Sequence, residues 1–175
     1  MFFKGLGMRL FLSYAHADDS LNKDDPQRSF ARWLYNNLIA LGHTVWWDVV
    51  DMPQRGAPMS REIELAIQAV DRVIVILGPG ASMPTSYVPK EVAYALECCK
   101  LIHPILRKGT FDEHVPKALR KSFVLDFRDL AFDQRGKPFA ALVEYLAQTD
   151  PKPGRLFPER LRLPDYMVPR EKSRA

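Results

Sequence analysis

A chain of 175 residues that is 47% apolar and 26% charged has the make-up of one soluble domain with apolar material for a full core. Three of its four net positive charges fall in residues 150–175, so the rest is close to neutral. That excludes a basic nucleic-acid face, and no apolar run approaches the length of a membrane span.

In chain order, residues 1–7 read as a loose N-terminal extension, with Met8 an equally good start, and Met8 to Tyr14 as a short apolar strand. A polar loop from Ala15 to Asp25 follows. Asp25 as N-cap and Pro26 at the first helical position open a helix with the buried stripe Phe30, Leu34, Asn37/Leu38 and Leu41, which Gly42 stops. Thr44 to Trp47 is the second strand, and Asp48 to Pro58, with two prolines and Gly56, is a loop. A helix from Ser60 carries Ile63, Ala66, Ile67 and Val70. Arg72 to Leu77 is apolar almost throughout, as a strand covered on both faces of a parallel sheet would be. Gly78-Pro79-Gly80 ends it, a loop runs to Ser86, and Ser86 caps a helix with the stripe Val88, Val92, Ala95, Leu96 and Cys99. Leu101 to Leu106 and Val124 to Phe127 are the last two strands, and a final helix runs from Pro138 through Leu142, Val143 and Leu146.

Strands alternating with helices through short loops predict an α/β, doubly wound, five-stranded parallel sheet with helices on both faces, spanning residues 8–149. The five prolines of residues 150–175 predict a linker that leads to a further domain. Cys98 and Cys99 are adjacent on a helix and read as small core residues of a reducing compartment; with no signal peptide, the cytoplasm is expected.

One residue breaks the apolar pattern. Glu91 falls in the buried register of its helix, where an unpartnered ionised carboxylate costs several kcal/mol. Glutamates near helix starts are commonly just solvated, so the bland reading is a surface carboxylate favoured by the positive helix end by about 0.3–1 kcal/mol. In doubly wound sheets, however, ligands bind outside the carboxyl ends of the strands. There the segments Ser13 to Asp19, Trp46 to Gly56 and Gly80 to Glu91 converge. Trp46 and Trp47 must point to opposite faces, so one of them either meets a ligand ring or both enter the core. Other chemistry is poorly provided for. Gly5-Leu6-Gly7 lacks the third glycine of a dinucleotide fingerprint, Ser82 misses a nucleophile elbow, no phosphate loop is present, and the four histidines have no metal-ligand spacing.

The strings RLFLSYAHADD (9–19), VWWDVVDMPQRG (45–56), RVIVILGPGAS (72–82) and SYVPKEVAYAL (86–96) resemble, in order and spacing, the successive boxes of a TIR domain, the Toll/interleukin-1 receptor fold. The resemblance covers Met8 to Gln148, and Asp126-Phe127-Arg128-Asp129 is similar to the penultimate box. It implies a flavodoxin-like fold and one of two functional kinds, a signalling scaffold or an enzyme that hydrolyses NAD to nicotinamide and ADP-ribose or a cyclic form. In the enzymes a catalytic glutamate lies in the box that Tyr87 to Glu91 matches, which makes Glu91 that residue. NAD as substrate would then meet Ser13, Tyr14, His16, Trp46, Trp47, Asp48 and Tyr87, with no metal and no further cofactor. Tyr87 stands where better-known NAD-cleaving members have Trp, and Ala15 and His16 where some relatives have arginines for the phosphates. The resemblance also implies self-association through the loop Asp48 to Pro58 and an immune or antiphage effector role. Leu163 to Arg170 resembles the lead-in to a STAND-type ATPase module. Two alternatives remain open: a non-catalytic TIR scaffold, and a nucleoside deoxyribosyltransferase-like enzyme acting on free nucleosides.

Overall fold

The computed structural model describes residues 7–19, 29–47, 61–131 and 134–148. Chain order within them is β1 (Arg9–Ser13), α1 (Phe30–Ala40), β2 (Thr44–Trp46), α2 (Arg61–Ala69), β3 (Arg72–Leu77), α3 (Val88–Glu97), β4 (Leu101–Leu106), the single-turn α4 (Phe111–His114), a 3-10 turn (Lys117–Leu119), β5 (Leu125–Asp126) and α5 (Gly136–Ala147). The strands form one all-parallel sheet in the order β2-β1-β3-β4-β5. The expected α/β, doubly wound, five-stranded fold is therefore what the chain adopts. Every residue of the central strand β3 is buried. Among the described residues no helix is long and apolar enough to cross a membrane.

Strand alternation divides the interior into two cores. Leu10, Leu12, Tyr14, Ile74 and Ile76 face α1 and α5, where they meet Phe30, Leu34, Leu38, Phe139, Leu142 and Leu146. Phe11, Ala15, Val73, Val75 and Leu77 face the other way, against Ile63 and Ile67 of α2 and Val88, Val92 and Ala95 of α3. Val115 and Leu119, from the short helical segment between β4 and β5, close that second core.

Several expectations are corrected. The start of α1 is set by Ser29, in extended conformation, whose Oγ accepts from Arg32 N at 3.1 Å. The helix thus begins at Phe30, while the expected cap Asp25 and Pro26 lie outside the described residues. Leu41, expected on the buried stripe, is 47% exposed because it is the C-cap. Gly42 ends the helix as expected: at φ 91° it donates to Ile39 O (2.9 Å), and His43 N donates to Leu38 O (3.1 Å), a Schellman closure. Cys99 plays the same part after α3. It has φ 54°, donates to Leu96 O (2.9 Å) and is followed by Lys100 N to Ala95 O (2.9 Å). It is exposed, not a core residue. Arg72 interrupts the apolar reading of β3 with a charge that is nevertheless buried. Its Nη1 and Nη2 donate to Tyr145 O and Gln148 O, both at 2.5 Å, satisfying carbonyls at the end of α5.

Cys99 occupies a left-handed position that disfavours a side chain by about 1–2 kcal/mol, offset by the extra unfolded-state entropy of glycine. Cys99→Gly is expected to stabilise the domain by about 0.5–1 kcal/mol, read as a rise in Tm of about 2 °C; a fall in Tm would refute the closure argument. His43, at the foot of the sheet, accepts from Met8 N at 3.2 Å on Nδ1, and burial lowers its pKa from 6.5. The unfolded chain then takes up the proton first as pH falls below 6.5, so stability declines from there toward the lower folded value. Denaturant midpoints should drop between pH 7 and pH 5 less steeply in His43→Gln than in the parent.

Candidate active site

The strand order puts the topological switch point at the carboxyl ends of β1 and β3, where the two crossovers leave in opposite directions. Ser13 is the last residue of β1, paired across the ladder with Val75. Alternation after Phe11 turns its side chain toward the α2/α3 face. On that face α3 begins with Val88, and Pro89 occupies its first turn. Ser86 Oγ accepts from Val88 N at 3.2 Å, so the expected capping serine serves the helix start from one residue further out. Glu91 is the fourth residue of α3, its N–H bonded to Tyr87 O at 3.0 Å. Its carboxylate turns inward: Glu91 is 8% exposed, and Ser13 Oγ donates to Glu91 Oε2 at 2.5 Å.

The loop after β1 is fastened on both sides by two neighbouring acids. Asp18 is buried, and its carboxylate accepts from Gly80 N (2.6 Å) and Ala81 N (2.7 Å) in the turn after β3. The approach is close enough that a Cβ on Gly78 would stand 2.7 Å from Asp18 Cγ. Lys108, following β4, donates to Asp18 O. Asp19 turns to the opposite face and caps α1, accepting from Phe30 N and Ala31 N (both 2.9 Å) and from Ser29 Oγ (2.5 Å). Neither acid was singled out from the sequence. The available signals were an Asp-Asp pair just past a strand end and two glycines spaced by one residue after another strand.

The expected site residues divide between the two faces. Ser13 and Glu91 touch, and Trp46 shares their side of the sheet, stacked on Phe11 at 4.7 Å. Tyr14 and Trp47 lie on the α1 side, 5.8 Å apart. Trp47 has no exposed surface, packing against Tyr35 (5.3 Å) beneath the Arg32 guanidinium, so its ring belongs to the core rather than to a ligand crevice. His16 is exposed and stacks on Tyr14 at 5.0 Å. Tyr87 is 45% exposed where α3 begins, with Lys90 Nζ 5.7 Å from its ring centre. Asp48 and the loop to Pro58 lie outside the described residues.

The family model of the TIR domain matches residues 10–143. The chain belongs to the TIR domain family. Its fold is similar to the crystal structure of the TIR domain of the Toll-related receptor TRR-2 from Hydra magnipapillata (TM-score 0.58, 22% identity, 79% of this chain and 98% of that one). It is also similar to the TIR domains of the activated Roq1 resistosome, which directly recognises the pathogen effector XopQ (TM-score 0.52, 16% identity, 80% and 99% coverage). At these identities the likeness concerns the fold. No curated protein sequence matches the chain.

Within this TIR domain, removing the Asp18 carboxylate leaves two buried N–H groups without acceptors, each worth about 1–3 kcal/mol. Asp18→Ala is expected to cost about 2–4 kcal/mol and Asp18→Asn, which keeps one acceptor oxygen, about half as much. Chemical denaturation checks the order; equal stability of Asp18→Ala and the parent would refute the clasp.

Proposed function

We propose that this TIR domain cleaves NAD at the bond between nicotinamide and ribose, with Glu91 as the catalytic group. The observation that carries the proposal is the inward carboxylate at the switch point, bonded to Ser13 in the first turn of a helix. Nicotinamide in NAD is a pyridinium and departs neutral, so no second acid is needed to protonate the leaving group, unlike ordinary glycosidases. What the reaction demands is stabilisation of positive charge on the ribose. A fixed carboxylate in partly dry surroundings supplies it, each tenfold of rate requiring about 1.4 kcal/mol of preference for the transition state. Water then takes the anomeric carbon to give ADP-ribose, or an adenine nitrogen does so to give a cyclic product.

The proposal extends to setting. The Roq1 TIR domains act within a resistosome, and the same logic for this chain is activity switched on by self-association through the Asp48 to Pro58 loop, in an immune or antiphage role in the cytoplasm. The C-terminal segment would then join the domain to an oligomerising ATPase module. A scaffold reading draws on the same hydrogen bond, since Ser13 to Glu91 also ties α3 to β1 and would serve a purely structural purpose.

The deciding experiment clusters the domain on beads and follows nicotinamide from NAD and free base from nucleosides. Glu91→Gln is expected to cut nicotinamide release by about 10²–10³-fold while circular dichroism and Tm show a folded domain, and Glu91→Asp to cut it by about 100-fold. Release unaffected by Glu91→Gln refutes the assignment. A parent that releases nothing favours the scaffold, and base release from nucleosides alone favours a deoxyribosyltransferase-like enzyme.

A further inference from the structure

We infer that Ser13 is the positioning residue of the candidate site, acting through Glu91 and not by touching the substrate; this rests on the proposed NAD cleavage for its catalytic consequence. The argument begins with what the carboxylate needs. Glu91 sits among Val88, Val92 and Ala95, on a helix stripe that packs into the α2/α3 core. Burial alone would disfavour its charge, and a hydroxyl that can donate favours the ionised form. Ser13 Oγ provides that donor to Oε2 at 2.5 Å from an element 78 residues away, and both residues are buried.

The donor is itself held. Ser13 closes β1 opposite Val75 of the central strand, and the loop that follows it is pinned by Asp18 to Gly80 N and Ala81 N. The end of β1 and its loop are therefore tied at two places, by the Ser13 hydroxyl to α3 itself and by the Asp18 carboxylate to the turn after β3. A glutamate side chain has three rotatable bonds before its carboxylate. Fixing one oxygen on a strand end selects a single orientation, and misplacement by about 1 Å costs about 100-fold in rate.

The test separates this role from a merely structural one. In the folded domain, the Glu91 side-chain carboxyl is followed by 13C NMR against pH, its resonance assigned by its loss in Glu91→Gln. Ser13→Ala is expected to raise the Glu91 titration midpoint by about one pH unit, with Ser13→Thr restoring the parent value. Ser13→Cys, a close match in size with a weaker donor, should fall between and stands in for alanine if that variant does not fold. With the clustered parent active on NAD, Ser13→Ala is expected to lower kcat about tenfold or more with KM nearly unchanged, and to move the acid limb of the kcat profile upward with the titration. An unmoved Glu91 midpoint in folded Ser13→Ala overturns the inference, as does a raised KM at parental kcat, which would mean that Ser13 touches NAD. A parent that cleaves no NAD overturns the proposed function instead, and the NMR titration then still decides whether Ser13 governs the carboxylate.

Discussion

A carboxylate drawn inside a fold must be met there, and the bond from Ser13 to Glu91 is the point on which the candidate site turns. It requires three independent things of the sequence. β1 must present position 13 to the α2/α3 face, which its alternation after Phe11 ensures. The register between β1 and β3 must bring Ser13 level with Val75, two residues before β3 ends. And α3 must start so that its fourth residue falls on the buried stripe, which Ser86, Tyr87 and Pro89 arrange at its first turn. Displacing any of these by one residue would leave Glu91 either unmet in the core or pointing to water.

The neighbouring acids Asp18 and Asp19 hold the same edge of the sheet together by diverging. Asp18 binds the turn that precedes α3, and Asp19 binds the start of α1, so a single loop grips elements on both faces of the sheet. Cations following β4 reinforce it. Lys108 donates to the Asp18 carbonyl, while Arg107 donates to Phe127 O (2.5 Å) and Leu130 O (2.8 Å) with its guanidinium 4.8 Å from the Phe30 ring centre. Burial lowers the Arg107 pKa, and the charge of Asp19 works against that. The carboxyl edge is thus fastened by side chains reaching backbone groups, which fixes loop positions more tightly than pairing between flexible side chains would.

Much of this architecture was legible in the sequence because it rests on periodicity. The continuous apolar run of β3, the stripes of α2 and α3 and the stop at Gly42 are patterns of two, of three and four, and of one special backbone angle, and the structure keeps them. What escaped notice depends on partners far along the chain. Nothing local marks Arg72 as buried; among its partners are the carbonyls of Tyr145 and Gln148, more than seventy residues on, which help a charged residue to sit in a central strand. The cap of α1 is Ser29, and Asp19, ten residues earlier, accepts from the same helix end, a partnership no local signal marks. Cys99 passed for a core residue because a stripe extrapolated by one more step does not register that the helix has already closed. The inward placement of Glu91 was readable from its register, but its partner was not, since a serine at a strand end looks the same whether it meets water or a carboxylate.

The satisfaction of Asp18 also bears on how a charged dinucleotide would lie. Paired backbone N–H groups in a turn at a switch point are a natural seat for an anion, and here the seat is taken: Gly80 N and Ala81 N both donate to Asp18, with no Cβ on Gly78 or Gly80 to hold the acid away. A diphosphate can enter that turn only by displacing an internal carboxylate and stranding its charge. If Glu91 faces the nicotinamide ribose, the phosphates must therefore lie away from the β3 turn. Trp47, shut in the opposite core, gives no stacking face in that direction either. On the exposed start of α3, by contrast, the aromatic ring of Tyr87 and the ammonium of Lys90 stand together beside the helix turn that carries Glu91, an aromatic and a cation suited respectively to a flat ring and to an anion.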